Sequence, residues 1–263
     1  MKIGFIGMGN MAGAMIGGLI KSNINKADII GYDVLDTVRK VRSEEFGISI
    51  AKDNKDVALN SDYIILAVKP QFLVPVLEEI NTVLTDNKVI ISIVAGKSLD
   101  FLMTYIKTTS KIVRCMPNTA ALVGAAITAV CPSDSVTKEE LDQAVSIIES
   151  FGKASVVSEK MIDAVTGVSG SSPAYVFMLI EAMADAAVYE GMPRSQAYEF
   201  AANAVLGSAK LMVETGKNPG ELKDMVCSPG GTTIEGVKVL EDAGFRGAVM
   251  DAIIAASERS KEL

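Results

Sequence analysis

The segment Gly4-Phe5-Ile6-Gly7-Met8-Gly9-Asn10-Met11-Ala12 constrains this 263-residue chain more tightly than any other. It joins an apolar run, Lys2 to Ile6, to a helical one, Asn10 to Ser22, with Gly7, Gly9 and Ala12 at the spacing G-x-G-x-x-A. The first glycine permits a sharp turn, the second lets a pyrophosphate reach the backbone, and the small third residue lets helix press on strand. The helix start then offers phosphates N–H groups that have no partner within the helix. A strand, turn and helix in this order predict the opening of a dinucleotide-binding α/β sheet.

Later runs agree with that opening. Asp28 to Asp33, Tyr63 to Val68, Val89 to Val94, Lys111 to Arg114 and Ala126 to Val130 read as strands, nearly continuous in apolar residues like strands covered on both faces. Leu35 to Phe46, Gln71 to Leu84 and Leu99 to Lys107 read as helices, and Pro70 stops the strand before the second of them. Such alternation predicts a doubly wound, Rossmann-type parallel sheet over residues 1–158. Past Val157 no strand is expected. Pro173 to Glu190, Ser195 to Thr215, Ile234 to Ala243 and Phe245 to Glu262 read as helices, with Pro193 in a first turn and Gly191 and Gly216 at helix ends. Residues 159–263 therefore form an all-α domain. Its first helix is apolar nearly all round, and so small a domain cannot enclose it alone, so pairing with a second copy is expected.

The chain contains no histidine, which excludes an imidazole base, a Ser-His dyad and a His-rich metal site. A net charge of -7 argues against nucleic acid and against an acidic membrane surface. Three separated cysteines, Cys115, Cys131 and Cys227, suit neither a disulfide framework nor a zinc site and point to a reducing cytoplasm. The long uncharged stretches, Ile3 to Ile20, Cys115 to Ser133 and Ala164 to Ile180, are too rich in glycine, proline and hydroxyl residues to be membrane spans.

Asp33 ends the second strand, where a carboxylate accepts hydrogen bonds from a ribose 2′-hydroxyl and repels a 2′-phosphate, which favours NAD over NADP. Ala67-Val68-Lys69-Pro70 and Ser92-Ile93-Val94-Ala95-Gly96 stand at later strand ends, where ligands of open α/β sheets bind. In the helical half, Asp224 to Gly236 packs Ser228-Pro229-Gly230-Gly231-Thr232-Thr233 just before a helix. Glycine-exposed amides and a helix N-terminus make a seat for a small carboxylate, and the threonine hydroxyls suit an amine or imine, unless one of them caps the helix. A matching hydroxyl run, Ser169 to Tyr175, opens the long apolar helix.

In these segments and their order the chain resembles the pyrroline-5-carboxylate reductases over essentially its whole length. The resemblance rests on the Gly7 to Ala12 turn, Ala67 to Pro70, Arg114-Cys115-Met116-Pro117-Asn118-Thr119, Ser169 to Tyr175 and, most specifically, Asp224 to Gly236. It implies reduction of the cyclic imine 1-pyrroline-5-carboxylate to L-proline by NADH or NADPH, the final step of proline biosynthesis. It also implies a cytoplasmic homo-oligomer whose helical dimerisation domains pair, the dimers assembling into decamers. Residue by residue, it implies cofactor contacts at Ile6, Gly7, Met8, Gly9, Asn10, Met11, Asn54, Ala67, Val68, Lys69, Pro70, Ala95 and Gly96. Substrate contacts fall on Ser228, Gly230, Gly231, Thr232 and Thr233, with either threonine as the partner of the imine nitrogen. Asp33 departs from the family pattern, in which many members place Ser, Thr or Asn with a basic neighbour. No metal is implied.

Two rival readings are a non-catalytic NAD(H)-binding regulator and a β-hydroxyacid-type dehydrogenase. The regulator has no use for a second anion seat. The dehydrogenase needs a lysine in its helical half, and after Ser169 none occurs until Lys210.

Overall fold

A computed structural model describes residues 1–109 and 111–262. Its sheet has eight strands in the order β3-β2-β1-β4-β5-β6-β7-β8. These are β1 (Ile3–Ile6), β2 (Ile29–Tyr32), β3 (Ser49–Ile50), β4 (Tyr63–Leu66), β5 (Val89–Ser92), β6 (Ile112–Met116), β7 (Ala126–Pro132) and β8 (Gly152–Val156). The helices between them are α1 (Asn10–Lys21), α2 (Asp36–Phe46), α3 (Asn54–Leu59), α4 (Leu73–Asn81), α5 (Leu99–Tyr105) and α6 (Lys138–Glu149).

Side chains along the central strands alternate between two cores, which is why their apolar runs are unbroken. Ile3, Phe5, Tyr63, Ile65, Val89, Ile91 and Val113 face one layer, with Met15, Ile16 and Leu19 of α1. Ile6, Ile64, Leu66, Ile90 and Ile112 face the other, with Leu73, Leu77 and Ile80 of α4. Each such aliphatic side chain contributes roughly 1.5–3 kcal/mol by leaving water.

The pairing is parallel from β3 through β6, with Ile6 opposite both Tyr32 and Leu66. The expectation of an all-parallel sheet fails at β7, which runs antiparallel to β6 and carries β8 parallel to itself. A short 3-10 turn, Thr119–Val123, ending at Gly124 with φ +72°, reverses the chain there without a crossover helix. The sequence reading also lacks β3, α3, α6 and β8. Two of these are too short to show a period, and β8 (GKASV) has almost no apolar alternation. The helix expected from Gln71 to Leu84 is shorter, with a 3-10 turn at Pro70–Phe72 preceding α4.

The remaining helices are α7 (Ile162–Val165), α8 (Ser172–Tyr189), α9 (Arg194–Thr215), α10 (Pro219–Val226), α11 (Thr232–Asp242) and α12 (Phe245–Lys261), with a π-helical turn at Thr166–Ser171 before α8. Pro193 is the N-cap of α9, one position earlier than expected, and Gly216 closes α9 with φ +65°. α10 was not foreseen.

The chain forms two compact units, Met1–Gly170 together with the residues from Ala256 onward, and Ser171–Ala255. The second unit buries only Ala184, Ala197 and Ala201 fully, while Phe177, Met178, Phe200, Leu206, Val213 and Met250 are each more than 60% exposed. Among the described residues no helix is long and apolar enough to cross a membrane.

Candidate active site

The glycine turn is fixed by its neighbours. Gly7 has φ +88°, and a Cβ there would lie 2.7 Å from the Ala67 carbonyl oxygen, so only glycine fits. Its N–H donates to the Tyr32 carbonyl at 2.8 Å, and the Ala67 N–H donates to the Ile6 carbonyl at 2.9 Å. Gly9 is different, because a Cβ on it would meet nothing within 4 Å. It is the N-cap of α1, with no side chain capping the helix and no acidic residue in the first turn. The first-turn amides are thus left to an anion, and the open face of Gly9 is the cradle a pyrophosphate needs. Ile6 and Met8 are fully buried, Met8 beneath Gly31, and offer this site backbone groups alone.

A cleft of about 620 Å³ opens beyond the C-terminal ends of β1, β4, β5 and β6. It brings together Gly9, Asn10, Met11, Ala67, Val68, Lys69, Pro70 and Ala95 from the sequence reading, along with Ile93 and Val94. Met116, Pro117, Thr119 and Leu122 also line it. The sequence reading gave these four no role, because the adjacency of β6 to β5 is a property of strand order. Gly96, with φ +71°, turns the chain after Ala95 but is not part of the lining. Asn54 starts α3, donates its amide to Glu79 Oε2 at 2.7 Å, and also lies outside the lining.

Two side chains hold the cleft wall. Arg114 pairs with Glu159 at 2.7 Å, and the same carboxylate oxygen accepts the Leu99 N–H at 2.7 Å, which anchors the turn after β5. Asn118 donates to the Ser169 carbonyl at 3.1 Å, while its Oδ1 is buried without a donor among the described residues.

Asp33 is half-buried. One carboxylate oxygen accepts the Met8 N–H at 2.8 Å and the other the Leu35 N–H at 3.0 Å, so it ties the end of β2 to the glycine turn. Arg39 folds back to the same place. Its Nη1 donates to the Asp33 carbonyl at 2.5 Å and the Val34 carbonyl at 3.2 Å, its Nη2 meets Asp36 at 3.1 Å, and its guanidinium sits 5.2 Å above the Tyr32 ring. Lys40 and Arg39 together hold the exposed Asp36 carboxyl below its usual range.

In the helical unit, Gly230 has φ +64° and Gly231 is the N-cap of α11. The helix begins at Thr232, two residues earlier than expected, so both threonines lie in its first turn and neither caps it. A Cβ on Gly231 would overlap Ser228 Oγ, and the Gly231 N–H donates to the Ser228 carbonyl at 3.1 Å. This end of α11 therefore carries unclaimed first-turn amides beside two hydroxyls. Cys227 next to it is partly exposed, while Cys115 and Cys131 are buried. Burial pushes the Cys115 thiol far up and that of Cys131 up to about 11, so both act as small apolar side chains.

Comparison with known proteins fits both units. Residues 159–263 match the family described as pyrroline-5-carboxylate reductase dimerisation, and residues 2–96 match the family described as NADP oxidoreductase, coenzyme F420-dependent. A pyrroline-5-carboxylate reductase of Escherichia coli is 52% identical over 263 residues, covering 100% of this chain and 98% of the relative. One from Methanosarcina acetivorans is 48% identical, covering 100% and 97%. Among solved structures, a pyrroline-5-carboxylate reductase from Coxiella burnetii superposes with a TM-score of 0.95 at 35% identity, covering 99% of this chain and 97% of that one. The pyrroline carboxylate reductase of Plasmodium falciparum, solved with NADP bound, gives 0.87 at 32% identity, covering 99% and 97%. With full-length identity at this level and the same two-part architecture, the chain belongs to the pyrroline-5-carboxylate reductase family.

Proposed function

We infer that this chain reduces 1-pyrroline-5-carboxylate to L-proline, the final step of proline biosynthesis, with NADH or NADPH as reductant and NADH preferred. The observation that carries the reading is the start of α11, where a left-handed Gly230, a capless Gly231 and two first-turn threonines gather donors for a small anionic ring. The reduced nicotinamide, when bound, supplies hydride to the imine carbon. Gly9, Asn10 and Met11 hold the pyrophosphate on the amides of α1, and the small or apolar residues Ala67, Val68, Val94 and Ala95 leave space for a flat ring. The Gly230 amide and the unclaimed first-turn amides of α11 hold the substrate carboxylate, the Gly231 N–H being taken by the Ser228 carbonyl that shapes the turn, and Thr232 or Thr233 hydrogen-bonds the ring nitrogen. That nitrogen ends with one more proton, which a cyclic imine can carry in from water, so orientation is the main demand on the protein and no histidine is required.

Residues 159–263 act as the pairing and substrate-holding half, residues 1–158 as the cofactor half, and the protein works as a homo-oligomer in the cytoplasm. The helical half of a second copy completes each pocket, and dimers assemble into decamers. The apolar surface of Phe177, Met178 and Val213 supports pairing. Replacing Thr232 and Thr233 together by Val removes the neutral hydrogen bond to the ring nitrogen whichever threonine makes it, and lowers turnover about 10-fold while NADH binding is retained. Unchanged turnover would remove the threonines from the mechanism, and NADH oxidation no faster with the imine than without it would remove the activity.

A further inference from the structure

α1 carries glycine at position 13, inside its helix, where glycine is less favourable than alanine. The space beside it is occupied. A Cβ on Gly13 would lie 2.6 Å from Cζ of Arg42 and 2.8–2.9 Å from its two Nη atoms, so the guanidinium from α2 lies directly on the bare backbone. From that seat Arg42 Nε donates to the Met8 carbonyl at 3.1 Å and Nη2 to the Gly9 carbonyl at 3.3 Å. Nη1 pairs with Glu45 at 2.6 Å, the guanidinium lies 5.9 Å from the centre of the Phe46 ring, and the side chain is only 16% exposed. The turn is held from the other side too, since the Met8 N–H donates to Asp33.

In a trans peptide the N–H points opposite to the C=O. With the Met8 carbonyl held on Arg42, the Gly9 N–H is turned away from α2, while the Gly9 carbonyl, which accepts the Gly13 N–H at 2.9 Å as well as Arg42, keeps the Asn10 N–H directed out of the helix start. Gly9 and Asn10 line the cleft. A guanidinium also sets a full positive charge behind a turn meant for phosphates, with Glu45 offsetting part of it at its more exposed edge.

We propose that Arg42 is a positioning residue for the dinucleotide, gripping the carbonyl side of the glycine turn so that its amides face the pyrophosphate, and that Gly13 is glycine in order to seat it. This rests on the reading of the cleft as the NAD(P)H site. Neither residue touches the reacting atoms.

The test uses the full-length protein and four variants, Arg42→Met, Arg42→Lys, Gly13→Ala and the double Arg42→Met/Gly13→Ala. NADH affinity is measured without imine by calorimetry, steady-state constants with it, and melting temperature by circular dichroism. Arg42→Met and Gly13→Ala are each expected to weaken NADH binding about tenfold, the loss appearing in KM for NADH and not in kcat. Arg42→Lys, a point charge without the fork, recovers part of that loss. Because Gly13→Ala acts by displacing the guanidinium, it adds nothing once Arg42 is gone, so the double variant matches Arg42→Met. The proposal is overturned if Arg42→Met changes melting temperature but not NADH affinity, if Gly13→Ala leaves affinity intact, or if the two losses add. Failure of the parent protein to bind NADH at all would instead overturn the reading of the cleft.

Discussion

Replacing Asp33 by Ser separates two jobs that one carboxylate performs. The first is structural. The carboxylate accepts the N–H of the buried Met8 at 2.8 Å and that of Leu35 at 3.0 Å, and a serine hydroxyl, one bond shorter, does not span from β2 to the glycine turn. Leaving the Met8 N–H without its charged acceptor costs about 1–3 kcal/mol. For a chain of this size each kcal/mol is worth roughly 2–4 °C in melting temperature, so a fall of about 3–10 °C is expected. The second job is discrimination at the ribose. A unit negative charge about 5 Å from a phosphate, at an effective dielectric of 20, repels it by about 3 kcal/mol, and water at an open rim reduces this to about 1–2. Arg39 offsets only part of that repulsion, because its guanidinium keeps its charge while bonded to the Asp33 and Val34 carbonyls but also pairs with Asp36. Asp33→Ser therefore raises the ratio of kcat/KM with NADPH to that with NADH about 5–30-fold. The assay measures both reduced nicotinamides against the imine, with melting followed in parallel. If the melting temperature falls while the ratio moves less than about twofold, Asp33 is only a tie for the loop, and the preference for NADH has no basis in this residue.

Further outcomes follow from other sites. Glu159→Ala leaves Arg114 partnerless at 11% exposure and frees the Leu99 N–H, which should cost about 2–4 kcal/mol in urea unfolding, and a loss below about 0.5 kcal/mol would show the pair to be idle. Burial raises the Tyr63 hydroxyl to about 12, its O–H donating to Gln143 at 2.8 Å. The folded state thus keeps a proton that the unfolded chain loses near pH 10, so this contribution is complete below pH 10 and disappears by about pH 12. Stability of the Tyr63→Phe protein should fall less steeply across that window, and parallel curves would contradict the assignment. Phe177→Glu places a charge on α8 where the ring is 66% exposed in the single chain, and sedimentation should then show monomer that binds NADH without turning over the imine. An unchanged oligomer would place the pairing surface elsewhere.

The sequence exposed the cofactor half more completely than its edges, and the reason is physical. Strands β1, β4, β5 and β6 sit between two cores, so nearly every position is apolar whichever way it faces, Ser92 and Arg114 excepted, and such runs are readable at four residues. β3 and β8 lie at the margins of the sheet, where one face is wet and burial no longer dictates residue type. The reversal of β7 hides in a five-residue 3-10 turn, which leaves no periodic trace. Within the site, glycines were legible wherever a positive φ was required, as at Gly7, Gly96 and Gly230. The cleft residues Met116, Pro117 and Leu122 were not, because they become neighbours of Ala95 only through the order of the strands. Arg42 shows the same limit from another direction. Nothing in a basic residue on a charged helix marks it as bonded to carbonyls more than thirty positions earlier.

The helical half reverses this relation between sequence and structure. Its most informative property is a missing period. α8 is apolar nearly all round, interrupted by Glu181 and Asp185, so its sequence specifies how much must be covered without specifying by what. In the single chain Phe177 and Met178 remain over 60% exposed beside a core made only of alanines. A contact among three alanines, Ala184, Ala197 and Ala201, sets the distance between two helices but supplies little transfer free energy, on the order of 1 kcal/mol per residue. The second unit therefore cannot owe its stability mainly to its own interior. The α11 threonines belong to this same unit, so the substrate seat is expected to depend on assembly of the oligomer. Dilution should abolish imine reduction before it abolishes NADH binding, because the glycine turn, the cleft and Arg42 all belong to the unit with its own two-sided core. Coincident loss of both on dilution would show that the cofactor half also depends on its partner.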